Sequence, residues 1–352
     1  MDSRITIRDI AAKSGVSTTT VSRYLNGKYE FMSEDTRQRI KAVIQKTGYR
    51  PNKLAGSLKT ARTNTIGLVL SNPASNLYPF LIGSICNSST LLGQKTIVIT
   101  TDEDEEKERI QVEELIDSQV DGLLVFTGTN LSFYENLRQK YGLPIVLADR
   151  VPIRTQLDWV AINHYAGTAN VIKYLISKGY EKIVLVVREN RSHRGTIAIR
   201  EQSAEETCRL HFGDENHFKR ILIREDSAGS LIHGNNEHIL DCLELCYAES
   251  RVCPTAVFVA DGILMGRFIC GIYRLGLKLS PSFHLAGYDI WNFSTLLPQP
   301  ICTIEQPLFD LGTLATEMLV SRISESFSDQ QDQNGPHLPL HKLLDCTISY
   351  PL

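Results

Sequence analysis

No apolar run in this 352-residue chain reaches the ~18 residues that a membrane-spanning helix needs. The start, Met1-Asp2-Ser3-Arg4, lacks the apolar stretch of a secretory signal, so the chain is expected in the cytoplasm with no membrane partner. Eight cysteines (Cys86, Cys208, Cys242, Cys246, Cys253, Cys270, Cys302, Cys346) include no C-x-x-C pair and join no tight His/Cys cluster. A zinc site is therefore not expected, and reduced thiols are. Cys242, Cys246 and Cys253, spaced by four and seven, read as small core residues on one helix face. No G-x-G-x-x-G, P-loop or G-x-S-x-G occurs; neither an enzyme nor a bound cofactor is expected.

What is present is an ordinary globular composition, 42% hydrophobic and 22% charged, which excludes collagen-like and wholly disordered chains. The length predicts two or three domains. A formal net charge of −3 argues against a polyanionic partner until it is divided along the chain. Residues 1–62 hold 13 Lys or Arg and 5 Asp or Glu, a net of +8, and the remainder carries −11. A small basic head on an acidic body is the pattern of a nucleic-acid-binding module joined to something else, or of an inert basic terminus. Local pattern has to decide between the two.

The head reads as three short helices. Thr6 caps the first, Ile7 to about Ser14, and Gly15 supplies a left-handed turn. Ser17 caps the second, Thr18–Leu25, which turns Val21 inward and Thr18, Thr19, Ser22 and Arg23 outward before Asn26-Gly27 stops it. The third follows Ser33 and runs to Thr47, burying Ile40, Val43 and Ile44. Ala11, Gly15 and Val21 stand where a helix-turn-helix needs a small residue, a turn and a β-branched packer. The second helix then enters the major groove. Thr18 and Thr19 suit close base contact, Arg23 a bidentate contact to guanine, and Thr6, Ser17, Thr20, Ser22 and Asn26 phosphate contacts. The plainer reading leaves Ser17 as a cap and Arg23 as a solvated charge.

These residues carry a resemblance. The stretch Thr6–Ser17, the stretch Thr20–Gly27 and Gly48-Tyr49-Arg50-Pro51-Asn52, leading into Leu54–Lys59, resemble the head of the lac-repressor (LacI/GalR) family; looser similarity runs through the body. The resemblance implies an all-α helix-turn-helix head with a hinge helix, followed by an α/β periplasmic-binding-protein-like core of two doubly wound lobes. In its terms residues 1–50 are the DNA-binding domain and 51–64 the hinge helix and linker. Residues 65–352 are the effector-binding and dimerisation core, lobe one being about 65–160 and 291–320, and lobe two about 161–290 and 321–352. It places Asn52, Lys53, Ala55, Leu58 and Lys59 on DNA, with Leu58 as a wedge in the minor groove, where unstacking a base step costs a few kcal/mol. Gly56 replaces a residue that is often basic in the family and weakens an isolated helix by ~1 kcal/mol. No leucine heptad follows residue 320, so four-chain assembly is not implied.

The body alternates apolar runs (65–70, 96–100, 121–126, 144–148, 183–187, 220–223, 255–259, 284–287) with helical patterns (76–92, 105–118, 165–178, 235–247, 263–275). Such alternation means parallel sheets covered on both faces, two sheets rather than one. Ligands of such folds bind at the carboxyl ends of strands. Asn76, Tyr78, Phe80, Asp149, Arg150, Asn163, Arg194, Thr196, Arg200, Asp261, Asp289 and Trp291 fall there, and Gln306 lies in a Thr-Ile-x-Gln segment where the chain crosses between lobes. The family's effector-contacting basic residues match Arg194 and Arg200, and its effector-binding aspartate matches Asp289. Tyr78, Phe80 and Trp291 read equally as core, and Asp261 and Asp289 as helix caps. Basic residues (Arg150, Arg188, Arg191, His193, Arg194, Arg200) favour a sugar acid of the ketogluconate type over a neutral sugar. The segments 189–193 and Asp261-Gly262, where Asn-Asp is usual, depart from the family. A homodimer on a pseudo-palindromic double-stranded operator is the implied assembly, most simply a repressor. A sugar-uptake binding protein would share the body without the head, and a doubly wound enzyme would need a catalytic motif.

Overall fold

The computed structural model describes residues 5–49, 62–71, 78–127, 130–149, 155–189, 195–214, 216–224, 237–289, 297–328 and 338–351. The chain divides into two compact units, Met1–Thr63 and Asn64–Leu352.

In the first unit, α1 (Ile7–Ser14) opens on a reciprocal cap. The Thr6 N–H donates to Asp9 Oδ2 at 2.8 Å, and the Asp9 N–H returns to Thr6 Oγ1 at 3.4 Å. Gly15, at φ 65°, ends the helix in the left-handed region and lets the Val16 N–H reach Ala11 O at 3.0 Å. Ser17 caps α2 (Thr18–Leu25) and Ser33 caps α3 (Glu34–Thr47). Ile10, Val21 and Ile40 are wholly buried where the three helices meet. At ~1.5–3 kcal/mol each they supply most of what so small a core can offer. A single 3₁₀ turn, Tyr29–Phe31, sits between α2 and α3 and has no counterpart in the helical reading of the sequence. The hinge helix expected over 51–64, with Asn52, Lys53, Ala55, Leu58 and Lys59, lies outside the described residues.

The second unit holds two six-stranded sheets. The first is built from β1 (Thr65–Leu70), β2 (Lys95–Thr100), β3 (Gly122–Phe126), β4 (Ile145–Ala148), β5 (Asp158–Ile162) and β11 (His341–Leu344). They lie side by side as β11-β5-β4-β3-β1-β2, all parallel. The second is built from β6 (Lys182–Arg188), β7 (Phe218–Ile223), β8 (Thr255–Val259), β9 (Phe283–Tyr288), β10 (Cys302–Glu305) and β12 (Thr347–Ser349). Its order is β12-β10-β9-β8-β6-β7, with β12 antiparallel at the edge. Helices α4 (Tyr78–Leu91), α5 (Glu105–Asp117), α6 (Leu131–Tyr141) and α11 (Leu308–Ser328) cover the first sheet. The second is covered by α7 (His164–Ser177), α8 (Gly195–Phe212), α9 (Glu237–Glu249) and α10 (Gly262–Leu275). Each sheet carries a separate apolar cluster on either face. That is why Ile183 through Val187 are all wholly buried and form an unbroken apolar run.

The lobe boundaries differ from the expected ones. The chain first crosses between sheets at 163, close to the expected 161. The second crossing is at 306–307 rather than near 290, because β10 pairs with β9 and stays in lobe two. The third is at 345–346 rather than 321, because α11 packs whole on lobe one and β11 pairs with β5. Arg322 fixes α11 there. Its Nε and Nη2 bind Asp158 Oδ2 and Oδ1 at 2.7 and 2.9 Å, with both side chains less than a tenth exposed. Of the three cysteines expected on one helix face, Cys242 and Cys246 are buried on α9, whereas Cys253 lies beyond its end and is half-buried.

Candidate functional site

On the head, α2 presents Ser17, Thr18, Thr19 and Arg23 to solvent, with Thr20 and Ser22 half-buried and Val21 wholly buried beneath. Ser17 Oγ accepts from the Thr20 N–H at 3.1 Å and pairs with Thr20 Oγ1 at 2.9 Å. Asn26 closes the helix, its Nδ2 donating to Ser22 O at 2.9 Å. Ser17 and Asn26 are thus caps, as is Thr6, and their positions at helix ends on a basic head suit phosphate contact as well. Arg23 stands one turn beyond Thr19, its Cζ 5.0 Å from the Phe31 ring centroid.

In the core, the carboxyl ends of β4, β5, β6, β8, β9 and β10 converge where the lobes meet. Arg200 of α8 is 4% exposed. Its Nη1 donates to Ala260 O at 2.6 Å, and its Cζ sits 3.6 Å from the centroid of the Tyr288 ring. Its Nη2 lies 3.2 Å from Nδ1 of His164, the first residue of α7 after the first crossing. Arginine only donates, so His164 Nδ1 is the acceptor, and its Nε2–H donates to Asp149 Oδ1 at 3.2 Å. Burial and the neighbouring Arg200 push the imidazole down to about 4 against the opposing pull of Asp149, so it is neutral at pH 7. A neutral ring thereby links Asp149 of lobe one to Arg200 of lobe two.

Asp289 follows β9 at φ 60°, a left-handed conformation in which aspartate is tolerated better than most side chains. Its Oδ2 accepts from Gln306 Nε2 at 2.6 Å at the second crossing. Burial pushes its carboxyl up to about 6, partly offset by Arg200 and the Gln306 hydrogen bond. Gly262 makes this position possible, because a Cβ there would come within 2.7 Å of Asp289 Cβ and 3.0 Å of its carbonyl oxygen. Three polar atoms here are buried without a hydrogen-bond partner among the described residues: Arg200 Nε, Asp289 Oδ1 and Gln306 Oε1. Each costs ~1–3 kcal/mol until something pairs with it.

The other expected residues divide. Asp261 caps α10 through its Oδ1 and pairs its Oδ2 with Arg188 Nε at 2.9 Å, so both oxygens are engaged within the lobe. Asn163 caps α7 and donates from Nδ2 to Asp345 Oδ1 at 2.9 Å, joining the first and third crossings. Tyr78 packs in the lobe-one core with its hydroxyl on Ser71, while Phe80 is 53% exposed. Thr196 is buried near the start of α8. Asn76, Arg150, Arg191, His193, Arg194 and Trp291 lie outside the described residues. His164 is the residue the sequence reading missed.

Fold and sites together define a DNA-binding transcription regulator with a ligand-binding domain. Residues 6–52 match the family of bacterial regulatory proteins called the lacI family. Residues 63–226 match the periplasmic binding proteins and sugar binding domain of that family, and residues 172–343 a periplasmic binding protein-like domain. The chain belongs to the LacI family. It is 28% identical over 333 residues to a probable helix-turn-helix transcriptional regulator, EndR, of Paenibacillus polymyxa, covering 93% of each chain. It is also 28% identical to the transcriptional repressor PurR of Histophilus somni, covering 93% of this chain and 94% of that one. A lac repressor dimer bound to operator and an anti-inducer shares the fold at a TM-score of 0.77 and 21% identity, with 98% of each chain covered.

Proposed function

We propose that this regulator is a repressor that binds a pseudo-palindromic operator as a homodimer, and that a sugar-like effector held between its lobes controls operator affinity. The observation that carries the reading is the set of three buried atoms at the lobe junction without a hydrogen-bond partner among the described residues, in a chain whose head is a basic helix-turn-helix. Asp289 Oδ1 and Gln306 Oε1 accept and Arg200 Nε donates, which is what a polyhydroxylated ring requires. The expected basic residues Arg150 and Arg194, with Arg200, favour an acid group on that ring, whereas Arg188 is already neutralised by Asp261. In the head, Thr18, Thr19 and Arg23 read bases, and Thr6, Ser17, Thr20, Ser22 and Asn26 hold phosphates. Asn52, Lys53, Ala55, Leu58 and Lys59 belong to the DNA-dependent hinge. The homodimer is in keeping with apolar side chains left exposed at the edge of sheet one, Leu91 and Leu92 at the end of α4 and Ile97 and Val98 on the edge strand β2. No helix among the described residues is long and apolar enough to cross a membrane, and a DNA-bound role places the protein in the cytoplasm.

The test is a thermal-shift screen of neutral sugars and sugar acids on the full chain, followed by binding of each hit's complex to duplexes selected from a random pool. A ligand selecting the folded core raises its melting temperature by mass action, and the same ligand is expected to change duplex affinity. A hit that shifts melting but leaves duplex affinity unchanged refutes effector control, and a response from neutral sugars alone refutes the acid.

A further inference from the structure

Phe31 is 57% exposed in the 3₁₀ turn that follows α2. A ring left more than half in water adds little to the head's core, which is centred on Ile10, Ala11 and Val21. Its notable neighbour is Arg23, whose guanidinium carbon lies 5.0 Å from the ring centroid. The head's described ion pairs run Arg37–Glu34 and Arg39–Asp35, and Arg23 is in neither. The same turn supplies Tyr29, which lies under Arg37 at 4.2 Å and edge-on to Tyr24 at 5.7 Å. The turn is thus anchored to α2 through Tyr24 and to α3 through Arg37.

We propose that Phe31 is a positioning residue for base reading, its ring supporting the Arg23 guanidinium and restricting where its N–H groups point. The inference rests on the reading of Arg23 as a base-contacting residue. A guanidinium engages an aromatic ring through its face, while it reads guanine through N–H groups in its own plane. The two uses do not compete. A carboxylate partner would restrict the arginine equally well but would occupy the donors that the base needs. An unsupported arginine has to be ordered from many rotamers on each encounter, and this lowers its discrimination between bases.

The experiment uses the full-length protein, duplexes selected from a random pool, and variants of the selected duplex changed at one base pair in each half-site. Arg23→Ala is expected to abolish discrimination at one such pair. Phe31→Leu is expected to lower discrimination at that same pair by about two- to five-fold. Its affinity for the duplex already changed there stays level, and Phe31→Tyr restores the full preference. Equal weakening of Phe31→Leu on both duplexes, or an unchanged preference, overturns the proposal while Arg23 keeps its role. Loss of all binding by both Phe31→Leu and Phe31→Met assigns Phe31 to the fold instead and likewise overturns it. If Arg23→Ala leaves every preference intact, the base-reading role falls, and the inference falls with it.

Discussion

Asp289→Asn is expected to make the core more stable and less responsive at the same time. With its carboxyl raised from 3.8 to about 6 by burial, Asp289 holds its proton more tightly folded than unfolded. Such a group costs the folded state nothing below pH 3.8; its cost grows as pH rises from there and is complete above about 6. Two units correspond to about 3 kcal/mol at pH 8. For a unit of about 290 residues, at ~2.1 cal/mol/K of unfolding entropy per residue, this is a rise of up to ~5 °C in melting temperature for the variant. The gain is trimmed because the Asn amide now occupies the partnerless Oδ1 position. The ligand loses a hydrogen bond to a charged acceptor, ~1.5–3 kcal/mol, or roughly 10- to 150-fold in affinity. Calorimetric melting of both proteins at pH 5 and pH 8, with and without the compound that shifts the wild type, reads each quantity. The stability gap should shrink to about half at pH 5 and close only below pH 3.8, and wild-type affinity should fall below pH 6. His164 titrates too low, at about 4, to contribute in that window. A variant less stable than wild type at pH 8, or one that keeps its ligand-induced shift, refutes the reasoning.

Two further outcomes follow from buried geometry. Arg322→Met leaves the Asp158 carboxylate buried and stripped of its bidentate partner, and should cost ~3–5 kcal/mol in denaturant melts; an effect below ~1 kcal/mol would mean that solvent reaches the pair. Gly262→Ala drives a methyl against Asp289 and should weaken the effector at least tenfold while sparing DNA selection, so an unchanged titration would dissociate Asp289 from the ligand.

Much of the fold was legible because its signals are local. Thr6, Ser17 and Ser33 mark helix starts in the sequence, and Gly15 and Gly48 mark ends, both in the left-handed region. Parallel strands buried on both faces appear as apolar runs. What was hidden depends on partners. α8 buries Thr196, Arg200, Glu201, Ser203 and Thr207, so it shows no apolar stripe. β11 is largely exposed beyond its pairing with β5, and its short His-Lys-Leu-Leu run carries no alternation. The displaced lobe crossings follow from the pairings of β10 with β9 and of β11 with β5. At the site, strand-end position and family match point to Arg200 and Asp289, and the Thr-Ile-x-Gln segment to Gln306; each carries a buried atom unpaired among the described residues. His164 was not found, because its role is set by Asp149 and Arg200, fifteen and thirty-six positions away.

The three crossings bear on how force would travel through the core. Asn163 ties the first to the third through Asp345, while His164 and Gln306 sit at the first and second. If the effector sits between the lobes as proposed, the residues that join the lobes and those that would meet the ligand are therefore the same. A ligand engaging Gln306 would then push on the axle rather than on the panels. A small displacement there would then be magnified along the length of each sheet, as a short lever moves a long arm. In such an arrangement a small molecule needs few contacts to be felt far from where it binds.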